Sequence, residues 1–159
     1  MSSWDDEIKQ VGAIQIAGGL NKSLFIKGSG DSQVITYQGA PKSLTGDVDV
    51  TAAALLNGLI LADGGVGGQT LTLVTAAVVA AYINAANVSR SSSLLQVGSS
   101  FDFFIHNAST NEGANVGIQG GATYVGSQVI FPSDSAHYRY RFTDVTVGAE
   151  VASIYRLAA

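Results

Sequence analysis

Apolar and polar positions alternate most strictly at His137-Tyr138-Arg139-Tyr140-Arg141-Phe142. Side chains on a strand point to opposite faces in turn, so this pattern predicts a half-buried strand. Tyr138, Tyr140 and Phe142 would face inward, and His137, Arg139 and Arg141 outward. Residues 101–107 repeat the pattern, with Phe101, Phe103 and Ile105 on one face. Shorter strand-like runs occupy 47–50, 59–61, 69–73, 116–118, 124–125, 129–131 and 151–157, with glycine-rich punctuation between many of them.

Two segments carry a helical signature instead. Thr51 can cap a short helix over Ala52–Asn57, and Gly58 can end it. Thr75 is a second cap, before an alanine-rich helix over 76–86 with Val78, Val79 and Ile83 as its apolar stripe. Residues 1–46 have no sustained period. Their apolar runs, among them the strand-like Gln33-Val34-Ile35-Thr36-Tyr37, are interrupted by glycines and closed by Gly39-Ala40-Pro41. The expected architecture is mainly β: an antiparallel, jelly-roll-like β-sandwich at 47–159 with two short helices, preceded by an extended N-terminal arm at 1–46. No repeat of 20–50 residues is legible in the sequence.

Composition narrows the functional classes. With 159 residues and 47% apolar content the chain can bury a core, yet only 13% of it is charged, about half the usual quarter. Eight Lys and Arg against twelve acids leave little for a basic patch, so no nucleic-acid partner is expected. There is no cysteine, which removes disulfides, zinc–thiolate sites and a thiol nucleophile. The start, Met1-Ser2-Ser3-Trp4-Asp5-Asp6-Glu7, is acidic where a signal peptide would be basic and then apolar, so synthesis in the cytoplasm is expected. The apolar run over 73–83 is 11 residues long, against about 20 for a spanning helix, and reads as a buried helix with no membrane partner.

Candidate chemistry is sparse. Asp63-Gly64-Gly65-Val66-Gly67-Gly68-Gln69-Thr70 resembles a phosphate loop only superficially, because Gln69 stands where the lysine must be and Asp63 where the first glycine must be. Asp47 and Asp49 share a strand face but fall far short of the six to eight oxygens that calcium takes. His106 and His137, the only histidines, lack a nucleophile elbow or a metal-binding helix motif nearby. Asp134, Asp144 and Glu150 have no spacing that marks a glycosidase pair. Tyr138, Tyr140, Phe142 and Tyr155 could form a binding platform, but alternation with charges assigns them to a core. No catalytic, cofactor or metal residue is assigned, and no enzyme is expected.

Five stretches, read in order, resemble a small β-rich domain found in virion proteins of tailed bacteriophages and some large DNA viruses. They are Asp49-Val50-Thr51-Ala52-Ala53-Ala54-Leu55-Leu56-Asn57-Gly58-Leu59-Ile60, Gln69-Thr70-Leu71-Thr72-Leu73-Val74-Thr75-Ala76-Ala77, Val97-Gly98-Ser99-Ser100-Phe101-Asp102-Phe103-Phe104-Ile105-His106-Asn107, Tyr138-Arg139-Tyr140-Arg141-Phe142-Thr143-Asp144-Val145 and Ala152-Ser153-Ile154-Tyr155-Arg156-Leu157. Val74, Ser100 and Asp144 depart from the family's common Pro, Asp and Asn. The resemblance spans 48–157 and leaves the arm unmatched. It implies a capsid decoration or cement protein on the virion surface, a trimer or other small homo-oligomer bound to the major capsid protein. The competing expectation is a fibre-tip or spike-head module that recognises a host glycan. Trp4, Ile8, Ile14, Ile16, Phe25, Val34, Ile35 and Tyr37 are the expected partner contacts of the arm, since isolated aromatic and aliphatic anchors dominate interfaces.

Overall fold

A computed structural model describes residues 40–85 and 95–158. In chain order these form β1 (Lys42–Thr45), β2 (Val48–Val50), α1 (Ala52–Asn57), β3 (Leu59–Asp63), β4 (Gln69–Leu73), α2 (Ala76–Ala85), β5 (Ser100–Asn107), β6 (Val116–Gln119), β7 (Thr123–Val125), β8 (Val129–Ile130), β9 (Ser135–Asp144) and β10 (Val151–Ala158). Among the described residues one sheet runs β1-β3-β5-β9-β10-β7 and the other β2-β4-β6-β8. Lys42–Thr45, assigned to the arm from the sequence, is an edge strand of the larger sheet.

Both sheets are mixed, which corrects the antiparallel expectation. β1 with β3, β3 with β5, β7 with β10, β2 with β4 and β4 with β6 pair in parallel. Only β5 with β9, β9 with β10 and β6 with β8 are antiparallel. The reason lies in the turns. From β1 to β6 successive strands alternate between sheets, so each strand–turn–strand is an arch whose two strands belong to different sheets. Period-two alternation is the same in an arch and in a hairpin, so the sequence pattern could not separate them.

The arches also contain a repeat. β1–β2–α1 and β3–β4–α2 are the same unit, with Lys42 beside Ile60 and Val48 beside Leu71. Equivalent residues are 18 apart in the first sheet (60 − 42) and 23 apart in the second (71 − 48). The passage from Asp63 to Leu71 is longer than that from Thr45 to Val48, and this change of period hides the repeat.

Side chains lock the arch turns to one another. The Gln69 amide donates to the Gly46 carbonyl, and Asp47 accepts from the Thr70 N–H at 2.7 Å. Ser109 and Asn111 both donate to the Gly65 carbonyl, at 3.1 and 2.9 Å. Asn107, fully buried at the end of β5, donates to the carbonyls of Ala114 and Ile130 at 2.8 and 3.2 Å and accepts from the Ser109 N–H. A buried amide needs such partners, because leaving it unpaired costs about 1–3 kcal/mol. The return from β6 to β7 passes close under the α2 entry: a Cβ on Gly121, at φ +71, would lie 2.5 Å from the Val74 carbonyl oxygen. Only glycine fits there.

The two sheets and both helices share one core. Its large members are Phe103, Ile105, Tyr138, Tyr140, Phe142 and Ile154 from the larger sheet and Leu71, Val116 and Ile130 from the smaller. Phe101 stacks on Tyr140 at 5.0 Å and Phe103 on Tyr138 at 5.4 Å. The inward and outward assignments for β9 hold. α1 has the predicted ends: the Thr51 hydroxyl accepts from the Ala54 N–H, and Gly58 closes the helix at φ +84. On α2, Ala76, Val79 and Ala80 are buried, whereas Val78, placed in the inward stripe from sequence, is 48% exposed. Among the described residues no helix is long and apolar enough to cross a membrane.

Candidate functional site

The outer face of the larger sheet carries the densest grouping of functional side chains among the described residues. β5 and β9 pair antiparallel with Asp102 opposite Arg139, Phe104 opposite His137 and His106 opposite Ser135. The same alternation that sends Phe103, Tyr138 and Tyr140 into the core sends these six outward. β10 extends the face, with Tyr155 beside Arg139.

Arg139 grips Asp102 with two nitrogens, Nε to Oδ1 at 2.7 Å and Nη2 to Oδ2 at 2.9 Å. His137 Nε2 lies 3.1 Å from the same Oδ2, and the Phe104 ring stacks on the His137 ring at 4.2 Å, tilted by 14°. The hydrogen bond from Arg139 holds the Asp102 carboxyl below the usual carboxylate range, partial burial works against it, and His137 adds to the lowering. Asp102 in turn raises the Arg139 guanidinium. Bidentate pairing of this kind fixes orientation as well as charge. Phe104 remains 42% exposed beside this ordered group.

Two dyads stand side by side here without merging. His106 Nδ1 bonds the Ser135 hydroxyl at 2.9 Å, while Asp102 bonds the other histidine. Nucleophilic catalysis by serine needs base and orienting acid on one imidazole. Here serine and aspartate address different rings, so the two dyads do not make that triad; they place charge, hydroxyl and an aromatic plane side by side on one face.

A second feature lies at the turn end, a hollow of about 470 Å³ between the loop after β5 and the segment after β8. Glu112, Asn115 and Phe131 line it, with Ser133, whose φ of +59 is left-handed, on its rim. Phe131 is 61% exposed, and the buried Asn115 Oδ1 has no hydrogen-bond partner among the described residues.

The other expectations sort as follows. The glycine-rich segment after Asp63 is the turn from β3 to β4, where Asp63 accepts from the Gly65 N–H at 2.9 Å. Asp47 is engaged by Thr70, and no three His, Asp or Glu side chains among the described residues cluster as metal ligands. Of the proposed aromatic platform, Tyr138, Tyr140 and Phe142 are core, while Tyr155 belongs to the outer face. Trp4, Ile8, Ile14, Ile16, Phe25, Val34, Ile35 and Tyr37 lie outside the described residues. Asp102, Phe104 and Ser135 were missed as site residues. The outward positions of two period-two strands were the available signal, and only the pairing of β5 with β9 shows that they meet. No protein-family model, curated protein or solved structure matches the chain.

Proposed function

We propose that the chain is a virion structural protein, a bacteriophage capsid decoration or cement protein that binds the major capsid lattice as a small homo-oligomer. The observation that carries this reading is where the family-like stretches fall. The first two fall on the repeated strand–cap–helix unit, the third and fourth on the β5–β9 pair at the centre of the larger sheet, and the fifth on β10. What supports the reading is that all of these stretches fall on strands, caps and helices of the same two sheets. The shared core supports reading that domain as a β-sandwich, though its parallel arches depart from a jelly roll. The outer face suits a protein partner, because its polar groups are already fixed and lose little freedom on docking. In this role the protein has no catalytic function and no cofactor, and its partners are the major capsid protein and copies of itself. Co-sedimentation of the purified protein with undecorated capsids tests the reading, and a protein that stays in the supernatant at saturating concentration refutes it.

The glycan-binding alternative draws on one feature, the exposed Phe131 beside Glu112 and Asn115 in the hollow. An aromatic plane flanked by acceptors matches a sugar's apolar face and hydroxyls. A glycan array separates the two readings, because a decoration protein gives no saccharide signal.

A further inference from the structure

The hollow at the turn end has two sides, and they are tied to each other. Phe131-Pro132-Ser133-Asp134 is a tight turn, closed by the Asp134 N–H on the Phe131 carbonyl at 3.2 Å. Pro132 takes its second position and Ser133, at φ +59, its third, where a positive φ favours glycine. What a glycine could not supply is the hydroxyl. The Ser133 N–H and Oγ both donate to the Ser109 carbonyl, at 2.9 and 3.3 Å. This pair of bonds joins the segment after β8 to the loop after β5 across the rim of the hollow. A side chain held in left-handed backbone persists only where its surroundings fix it, and such residues gather at ligand sites.

The polar atoms around the hollow are unevenly sorted. The N–H groups of Ala114, Asn115 and Ser133 are spent on the carbonyls of Asn111, Gly113 and Ser109. The Ser133 hydroxyl proton is spent in the same way. Against this, Glu112 brings a carboxylate to the lining, and the buried Asn115 Oδ1 accepts from no partner among the described residues. No Lys, Arg or His among the described residues lines the space. Asp134, the residue after Ser133, is a second exposed acid. Phe131 completes the lining with an aromatic side chain that is 61% exposed.

We infer that the hollow is a binding site for the guanidinium of an arginine side chain on a protein partner. A guanidinium has donors only, set in one plane, and its charge complements the carboxylate. Its flat face stacks on an aromatic ring while its edge pairs with carboxylate and amide oxygens. A hollow of about 470 Å³ lies within the roughly 300–1,000 Å³ of small-molecule sites, room for the side chain and the backbone that carries it. A saccharide hydroxyl gives a hydrogen bond as well as taking one, so it would leave the charge here without a counterpart. The inference goes beyond the decoration role and does not depend on it.

N-acetyl-L-arginine amide is the probe, titrated into the isotope-labelled full-length protein. It should shift the backbone amide signals of Glu112, Gly113 and Ser133 saturably. N-acetyl-L-citrulline amide, close in shape but uncharged, should not. Glu112→Gln should weaken binding about tenfold, the scale of one charge-assisted hydrogen bond. Phe131→Ala should weaken it a few-fold. Both side chains are exposed, so the thermal unfolding midpoint should stay where it is in each variant. Glu150→Gln, where β9 has ended rather than where it begins, should leave binding unchanged. No saturable shift with the arginine amide, equal binding of the citrulline amide, or an equal loss in Glu150→Gln overturns the inference. Tighter binding of free arginine, whose own carboxylate meets the same negative lining, would make this an amino-acid site and overturns it too. Saturable shifts with methyl glucoside and none with the arginine amide would do the same in favour of the glycan-binding alternative. No capsid enters these measurements, so the decoration role stands or falls separately.

Discussion

β1 to β6 are held together at their turns, whereas β5, β9 and β10 are held together by their faces. The arches contribute small or medium core residues, such as Val50, Ala52, Ala62 and Leu71, and tie one turn to the next through Gln69, Asp47, Asn107, Ser109 and Asn111. The antiparallel part contributes Phe103, Tyr138, Tyr140 and Phe142 in stacked and edge-on contact, and the side-chain bonds of its β9–β10 turn are local, from the Thr146 N–H to Asp144 and from the Gly148 N–H to Glu150. An arch has no local partner strand, so its path depends on polar anchors in the turn. A hairpin pairs with itself, and its stability is set by the side chains that the alternation buries.

The sharpest way to break the antiparallel part is a charge in its core. Tyr138→Asp or Phe142→Asp should leave the protein unfolded at 25 °C by far-UV circular dichroism, because an unpaired buried carboxylate costs several kcal/mol against a total of about 5–15. Arg139→Ser, on the outer face between the inward-facing Tyr138 and Tyr140, should leave a cooperative transition nearly unchanged. On the arch side the largest effect should come from Asn107→Ala. It strands two buried carbonyls and the Ser109 N–H, and a loss of about 3 kcal/mol in urea unfolding is expected. A loss below about 0.5 kcal/mol would show that the turns are held by packing alone.

Two smaller effects sharpen the contrast. The Tyr140 hydroxyl is buried with no hydrogen-bond partner among the described residues, and burial pushes its pKa up. Tyr140→Phe should therefore be neutral or stabilising by up to about 1 kcal/mol in the same titration. The smallest effect concerns acid. Asp102 has a folded pKa below its unfolded value, so its contribution is present above about pH 4 and is lost as pH falls through the folded pKa. The pair with Arg139 is partly exposed, which limits this to below about 1 kcal/mol. Asp102→Asn should flatten that part of a melting-temperature profile taken from pH 7 to pH 2.5, and an unaltered slope would assign it to other carboxylates.

The sequence showed most of the elements and little of their pairing. Thr51 and Gly58 marked both ends of α1, and the alternation of β9 was legible over 137–142 because each polar position in that stretch is charged or histidine, while the ends of the strand at Ser135 and Asp144 were not. Val78 was misassigned because α2 is apolar nearly all round, so its stripe has no polar contrast to define it. The parallel order was illegible for a physical reason: whether Gly46-Asp47 folds the chain back beside itself or across to the other sheet depends on Gln69 and Thr70, more than twenty residues away. The outer-face site was hidden in the same way, since Asp102 and Arg139 meet only once β5 and β9 pair.

The split between arches and hairpin has a consequence for the order of folding. The connection from Asp144 to Val151 closes a loop of six residues, whereas Leu59 reaches its neighbour Phe104 across 45 positions (104 − 59). Loop-closure entropy rises with length, so contacts of low sequence separation are reached first. The β9–β10 hairpin is therefore the expected nucleus, onto which β5 and then the stacked arches condense. Conservative truncations in the hairpin, such as Ile154→Val, should slow refolding, and those in the arches, such as Ile60→Val, should mainly speed unfolding. A sheet whose two halves look equivalent when complete would then have an early side and a late one, and the late one is the side that carries β1.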